Sequence, residues 1–187
     1  KRIALIPNGI DSAAFAPLSP KQRDITREEK NITGNPVIGI IARLSTVKGI
    51  DVLIAAMSTV LQQFPNACLW IVGQGDQEAY LKECVLKRDL SAHVKFLPAV
   101  NQTAALLPLF DVFVMPSLQE GLGLSVMEAQ ASGVPVVASK VGGLVDLIED
   151  GKTGFLVPPS QHQDLALKII EILKNPAHAQ TMANAAR

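Results

Sequence analysis

Cysteine and aromatic residues are scarce in this chain. Its 187 residues include two cysteines, one tryptophan, one tyrosine and six phenylalanines. Cys68 and Cys84 share neither a metal-type nor a redox-type spacing, so both read as reduced structural thiols of a cytoplasmic protein. The histidines, His93, His162 and His178, are scattered and form no ligand set. Neither charge is in excess: 17 Lys and Arg balance 17 Asp and Glu. That balance argues against a nucleic-acid partner, which calls for a basic surplus. No apolar run reaches the length of a membrane span, and no secretion signal opens the chain. Asn31-Ile32-Thr33 matches a glycosylation acceptor, and in that setting it reads as a chance match.

What remains is an ordinary globular composition. Hydrophobic residues make up 48% of the chain and charged residues 18%. The length suits one domain, residues 1–187, with a substantial core. From residue 37 onward, short apolar runs alternate with helical patterns. Strands are expected at 37–42, 67–72, 94–97, 111–115, 134–138 and 154–157. Helices are expected at 49–64, 78–87, 103–110, 124–132, 144–149 and 164–173, with a short alanine-rich helix after Asn175-Pro176. Strands apolar on both faces, alternating with helices, predict an α/β protein: a Rossmann-like, doubly wound parallel sheet with helices on both faces. Residues 16–36 are polar and carry Pro17, Pro20 and Pro36, so they read as a linker-like loop with at most one helical turn. A lone strand is expected at 3–6.

In such sheets ligands bind beyond the strand carboxyl ends. The charged candidates lie there. Glu120 and Glu128 flank the turn Gly121-Leu122-Gly123-Leu124, between an expected strand and an expected helix. The helix start offers free N–H groups and a positive dipole end between two carboxylates. This suits a ligand with phosphate in the middle and hydroxyls at both ends, such as a nucleotide sugar. Arg43 and Lys48 follow the first of these strands and could clamp a diphosphate. Both pairs have an ordinary alternative as solvated surface charges. Gly142-Gly143 reads equally as an anion nest or a tight strand-to-helix turn. Gly73-Gln74-Gly75 lacks the full dinucleotide fingerprint, so no NAD site is expected.

In combination these segments resemble the C-terminal, donor-binding domain of a GT-B glycosyltransferase of family four, the retaining "glycosyl transferases group 1". Asn8 to Asp11, with Pro7 before it, is similar to the family's Pro-Asn-Gly-Val-Asp lead-in. Residues 39–49 resemble its phosphate segment, and 116–129 its Pro-Ser-x-x-Glu-Gly-x-Gly-x-x-x-x-Glu-Ala signature. Gly133-Val134-Pro135-Val136-Val137 and Gly142-Gly143 continue the pattern. Pro98 stands where glycine is common after Phe-Leu, and Asp146 where glutamate is frequent.

The resemblance implies roles for the matching positions. Arg43 and Lys48 hold the donor diphosphate and stabilise the leaving nucleoside diphosphate, with N–H groups near Gly123 and Leu124 assisting. Glu120, aided by the Gly121-Leu122 backbone, contacts the sugar hydroxyls and is not a nucleophile. Glu128 binds the ribose, and Val100 lies near the base. No cofactor or metal is implied, and the chain carries no Asp-x-Asp motif. Partners are a nucleotide-sugar donor and an acceptor glycan or lipid. The acceptor reaches the site through an N-terminal domain expected to precede Lys1, in an enzyme at the inner face of the membrane. On this reading the isolated chain is inactive. Two alternatives stay open: a non-catalytic nucleotide or nucleotide-sugar binding module, and a GT-B-like nucleotide-sugar epimerase.

Overall fold

A computed structural model describes residues 8–29, 32 and 34–187. The strand expected at 3–6, Pro7 of the lead-in, and Asn31 and Thr33 of the glycosylation match lie outside the described residues.

Among the described residues six strands form one sheet: β1 Val37–Ile41, β2 Cys68–Val72, β3 Val94–Leu97, β4 Val112–Met115, β5 Val136–Ser139 and β6 Phe155–Val157. Their order is β3-β2-β1-β4-β5-β6, and every pairing is parallel. The helices are α1 Pro20–Glu29, α2 Ile50–Gln63, α3 Glu78–Lys87, α4 Leu124–Ala131, α5 Leu144–Leu147, α6 His162–Lys174 and α7 Pro176–Ala186.

The two-residue period of a strand divides the core into two layers. Ile38 and Ile40 of β1, Leu69 and Ile71 of β2, and Val112 and Val114 of β4 pack with α2 and α6 through Leu53, Met57 and Ile169. Their neighbours Val37, Trp70, Val72, Phe113 and Met115 face the other way and pack with Val126 and Ala129 of α4. Gly39 keeps the second face open for Phe110, because a Cβ there would stand 2.2 Å from the ring.

The doubly wound parallel sheet is thus present as expected, with three local corrections. Residues 20–29 form a full ten-residue helix in place of a loop with one turn. That helix has no apolar stripe to signal it, and its buried residue is Arg27. Arg27 donates to the Leu109 carbonyl and to Asp111. Residues 103–110 form two 3-10 helices, Thr103–Ala105 and Leu107–Leu109, in place of one helix. Pro108 lacks the N–H that a continuous helix would use. The strand expected from 134 begins at Val136. Pro135 instead supplies a carbonyl to Phe113 N.

Candidate functional site at the switch point of the sheet

β1 is flanked by β2 on one side and β4 on the other, so chain connections leave it in opposite directions. The crevice between the loops after β1 and β4 is the switch point at which open α/β sheets bind ligands.

Both loops are fastened together. Leu118 N donates to Val47 O at 2.7 Å, and Gln119 N to the same oxygen at 3.4 Å. Gly49, at φ +59°, starts α2, and a Cβ there would lie 2.2 Å from Pro116 O. A side chain at this position would push the two loops apart.

This fastening brings two of the expected residues into contact. Lys48, on the 3-10 helix Thr46–Lys48, places Nζ 2.5 Å from Glu120 Oε2, with both side chains mostly buried at 19% and 12% exposure. The Ser117 hydroxyl, fully buried, donates to the same oxygen at 3.2 Å. In the sequence Ser117 is one letter of the 116–129 signature. Its position three residues before Glu120, inside the same turn, was the available signal.

A third loop supports the turn from beneath. After β5, Gly143 N donates to Gly121 O at 3.0 Å and Glu120 O at 3.3 Å. A Cβ on Gly142 would stand 1.8 Å from Glu120 O, and one on Gly143 2.1 Å from Gly121 O. The diglycine therefore serves as a close-packed backbone seat for Glu120-Gly121. Its Gly143 N–H is already engaged there, and this decides between the nest and turn readings.

Gly123, at φ +77°, opens α4 without a side-chain cap. The first N–H groups of such a helix lack intrahelical acceptors and favour an anion. Gly121 is exposed with open space where a Cβ would be, Leu122 is half-buried, and Leu124 is exposed. Glu128 follows on α4, half-buried, and its Oε2 accepts a hydrogen bond from the Thr103 hydroxyl at 3.0 Å. Thr103 belongs to the loop that carries Val100, which is 38% exposed. Val100, Asn101, Gln102, Ala105 and Leu106 line a cavity of about 510 Å³. Arg43 is exposed and forms no ion pair among the described residues, so it stands outside the Lys48–Glu120 contact.

A larger cavity, about 620 Å³, lies at the opposite end of the sheet, against Pro36, Asp111 and Pro135, which lead into β1, β4 and β5. Its Arg23 is paired with Asp111 at 3.1 Å. The charge clusters that could meet a diphosphate are at the other end, where the strands terminate.

Comparison with known proteins gives the family and the fold. Residues 22–187 match the model of the family described as "Glycosyl transferases group 1". A GDP-mannose-dependent monoacylated alpha-(1-6)-phosphatidylinositol monomannoside mannosyltransferase of Corynebacterium glutamicum is 37% identical, over 97% of this chain and 50% of that protein. A glycogen synthase of Mycobacterium tuberculosis is 33% identical, over 99% of this chain and 43% of that protein. HepE of Anabaena, solved in complex with UDP-glucose, superposes with a TM-score of 0.87 at 31% identity, over 96% of this chain and 50% of that one. The C-terminal domain of a group 1 glycosyl transferase from Francisella tularensis superposes with a TM-score of 0.86 at 27% identity, covering 95% of this chain and 94% of that domain. The chain spans about half the length of the curated relatives it matches. Its sheet is that of a GT-B half, and the chain belongs to the glycosyl transferases group 1 family.

Proposed function

We propose that this chain is the donor-binding domain of a retaining glycosyltransferase, which moves a sugar from a nucleotide sugar to an acceptor hydroxyl. The observation that carries the reading is the Lys48–Glu120 contact at the switch point, beside the uncapped start of α4. Cation, carboxylate and free N–H groups meet there within one crevice. A donor brings a diphosphate to Lys48 and sugar hydroxyls to Glu120, so each partner exchanges the other for a ligand group. Arg43, which has no ion pair among the described residues, adds a guanidinium to the diphosphate from the same strand end.

In the reaction, the bond from the anomeric carbon to the diphosphate oxygen breaks and negative charge grows on the departing diphosphate. Lys48, Arg43 and the α4 N–H groups stabilise that charge electrostatically. They do so in place of a metal ion, and no cofactor is assigned. Glu120 orients the sugar with the Gly121-Leu122 backbone and forms no covalent intermediate. Glu128 binds the ribose hydroxyls, and Val100 lies against the base. The acceptor, a glycan or lipid, enters through a separate N-terminal domain, so the isolated chain binds donor without transferring sugar. The full-length enzyme is cytoplasmic and meets its acceptor at the inner face of the membrane by peripheral association. No helix of the described residues is long and apolar enough to cross a membrane.

The relatives named above differ in nucleotide, GDP-mannose in one and UDP-glucose in another. The test is therefore a calorimetric titration of this chain with UDP-, GDP- and ADP-sugars, repeated with Glu128→Ala and Lys48→Met. Saturable binding of one nucleotide class, weakened in both variants, is the expected result. Binding that is indifferent to both substitutions would overturn the assignment.

A further inference from the structure

Thr103 is a residue without an assigned role that touches Glu128. It sits at the start of the 3-10 helix Thr103–Ala105, half-buried, in the loop between β3 and β4. Its hydroxyl donates to Glu128 Oε2 at 3.0 Å across 25 residues of chain. Asn101 and Gln102 immediately before it, and Ala105 and Leu106 after it, line the 510 Å³ cavity. The bond therefore joins the cavity loop to the carboxylate on α4.

Two consequences follow from the chemistry of a carboxylate. Its two oxygens are equivalent acceptors, and the broad terminal torsion of an unrestrained glutamate lets the plane in which they present their lone pairs turn. A hydroxyl bonded to one oxygen fixes the plane of the carboxylate and leaves the other oxygen with both its lone pairs for a ligand. The hydrogen bond of Glu128 among the described residues engages Oε2 alone. The second consequence concerns the loop. Its 3-10 turn is short and contributes no buried residue of its own to the core. Leu106 and the buried Leu107–Leu109 turn anchor the far side of the loop on the core, and the charge-assisted bond from Thr103 ties its exposed side, Val100 to Gln102, to the carboxylate on α4.

We propose that Thr103 is a positioning residue for nucleoside recognition. It locks the Glu128 carboxylate so that one oxygen meets the ribose hydroxyls, and it sets the distance between that oxygen and the cavity that takes the base. This rests on the reading of Glu128 as the ribose ligand. A structural residue would lower stability without changing which sugar of the nucleotide is preferred. A positioning residue changes that preference.

The experiment measures dissociation constants of UDP, GDP and ADP and of their 2′-deoxy counterparts. The proteins are this chain and its variants Thr103→Val, Thr103→Ser and Glu128→Ala. The unmodified chain is expected to prefer the ribonucleotide. Thr103→Val is expected to weaken ribonucleotide binding about tenfold and 2′-deoxynucleotide binding much less, which collapses the preference. Thr103→Ser, which keeps the hydroxyl, restores it. If Glu128→Ala removes the preference and Thr103→Val leaves it intact, the role of Thr103 is overturned while the ribose reading stands. If Glu128→Ala changes neither affinity nor preference, or no nucleotide binds the unmodified chain, the ribose reading itself fails and takes the inference with it.

Discussion

Lys48 Nζ and Glu120 Oε2 stand 2.5 Å apart although 72 residues separate them along the chain. The contact joins the loop after β1 to the loop after β4, and it is mostly shielded from water. Removing one member leaves the other as a partly buried, uncompensated charge. Lys48→Met and Glu120→Gln should each destabilise the domain, and the double variant should lose less than the sum. A urea-unfolding double-mutant cycle should return a coupling of about 1–3 kcal/mol. A coupling near zero would mean that the pair is not formed in solution. On the proposed role of Lys48 as a charged donor to the diphosphate, Lys48→Met should also weaken nucleoside diphosphate binding at least about tenfold.

The diglycine after β5 gives a prediction that separates strain from steric clash. Gly142 and Gly151 both have positive φ, +49° and +77°. At Gly142 a Cβ would lie 1.8 Å from Glu120 O, while at Gly151 nothing lies within 4 Å. Gly151→Ala should cost about 1–2 kcal/mol, the penalty of a left-handed conformation alone. Gly142→Ala should cost more than that, because the backbone of Glu120 must move, and on the proposed role of Glu120 it should also abolish donor binding. Chemical denaturation and titration of both variants test the contrast. Equal costs with binding retained would show that the seat yields easily.

Asp111 anchors α1 to the sheet. Its Oδ2 accepts from Val37 N at 2.7 Å and from Arg27 at 2.9 Å, and its Oδ1 pairs with Arg23 at 3.1 Å. With no apolar stripe, α1 is held by these bonds and by those from Arg27 to the Leu109 carbonyl. Asp111→Ala should lower stability by about 2–4 kcal/mol through the loss of a hydrogen-bonded ion pair and of a backbone partner. Amide exchange in residues 20–29 should accelerate far more than exchange in α2. Unchanged exchange in α1 would locate its anchorage elsewhere.

The cysteines supply a check on the core. Both are buried, and desolvation pushes the Cys68 thiol above its usual range, with Lys95 and Trp70 opposing the shift. Thiolate is the reactive form, so burial and a raised pKa act in the same direction. Neither thiol should react with a disulfide reagent at neutral pH in the folded chain, and both should react in denaturant. Rapid labelling of Cys68 in native conditions would contradict the position of β2 inside the sheet.

The sequence by itself determined the six strands and the order of the longer helices from β1 onward, because short continuous apolar runs alternate there with longer helical patterns; at 103–110 it pointed to one helix where two 3-10 turns form. It also determined which charged residues follow strand ends, since that depends on local order alone. Where propensity and packing disagreed, it was silent. α1 is held by Arg27, Leu109 and Asp111 across some 80 residues of chain, a contact that leaves no periodic trace. Tertiary structure alone decided that Lys48 meets Glu120, that Ser117 and Thr103 each hold one carboxylate, and that Gly142-Gly143 seats a backbone and forms no open nest. Each of these depends on which strands become neighbours. The order β3-β2-β1-β4-β5-β6 sets two distant loops side by side at the switch point, and nothing in either loop encodes the other.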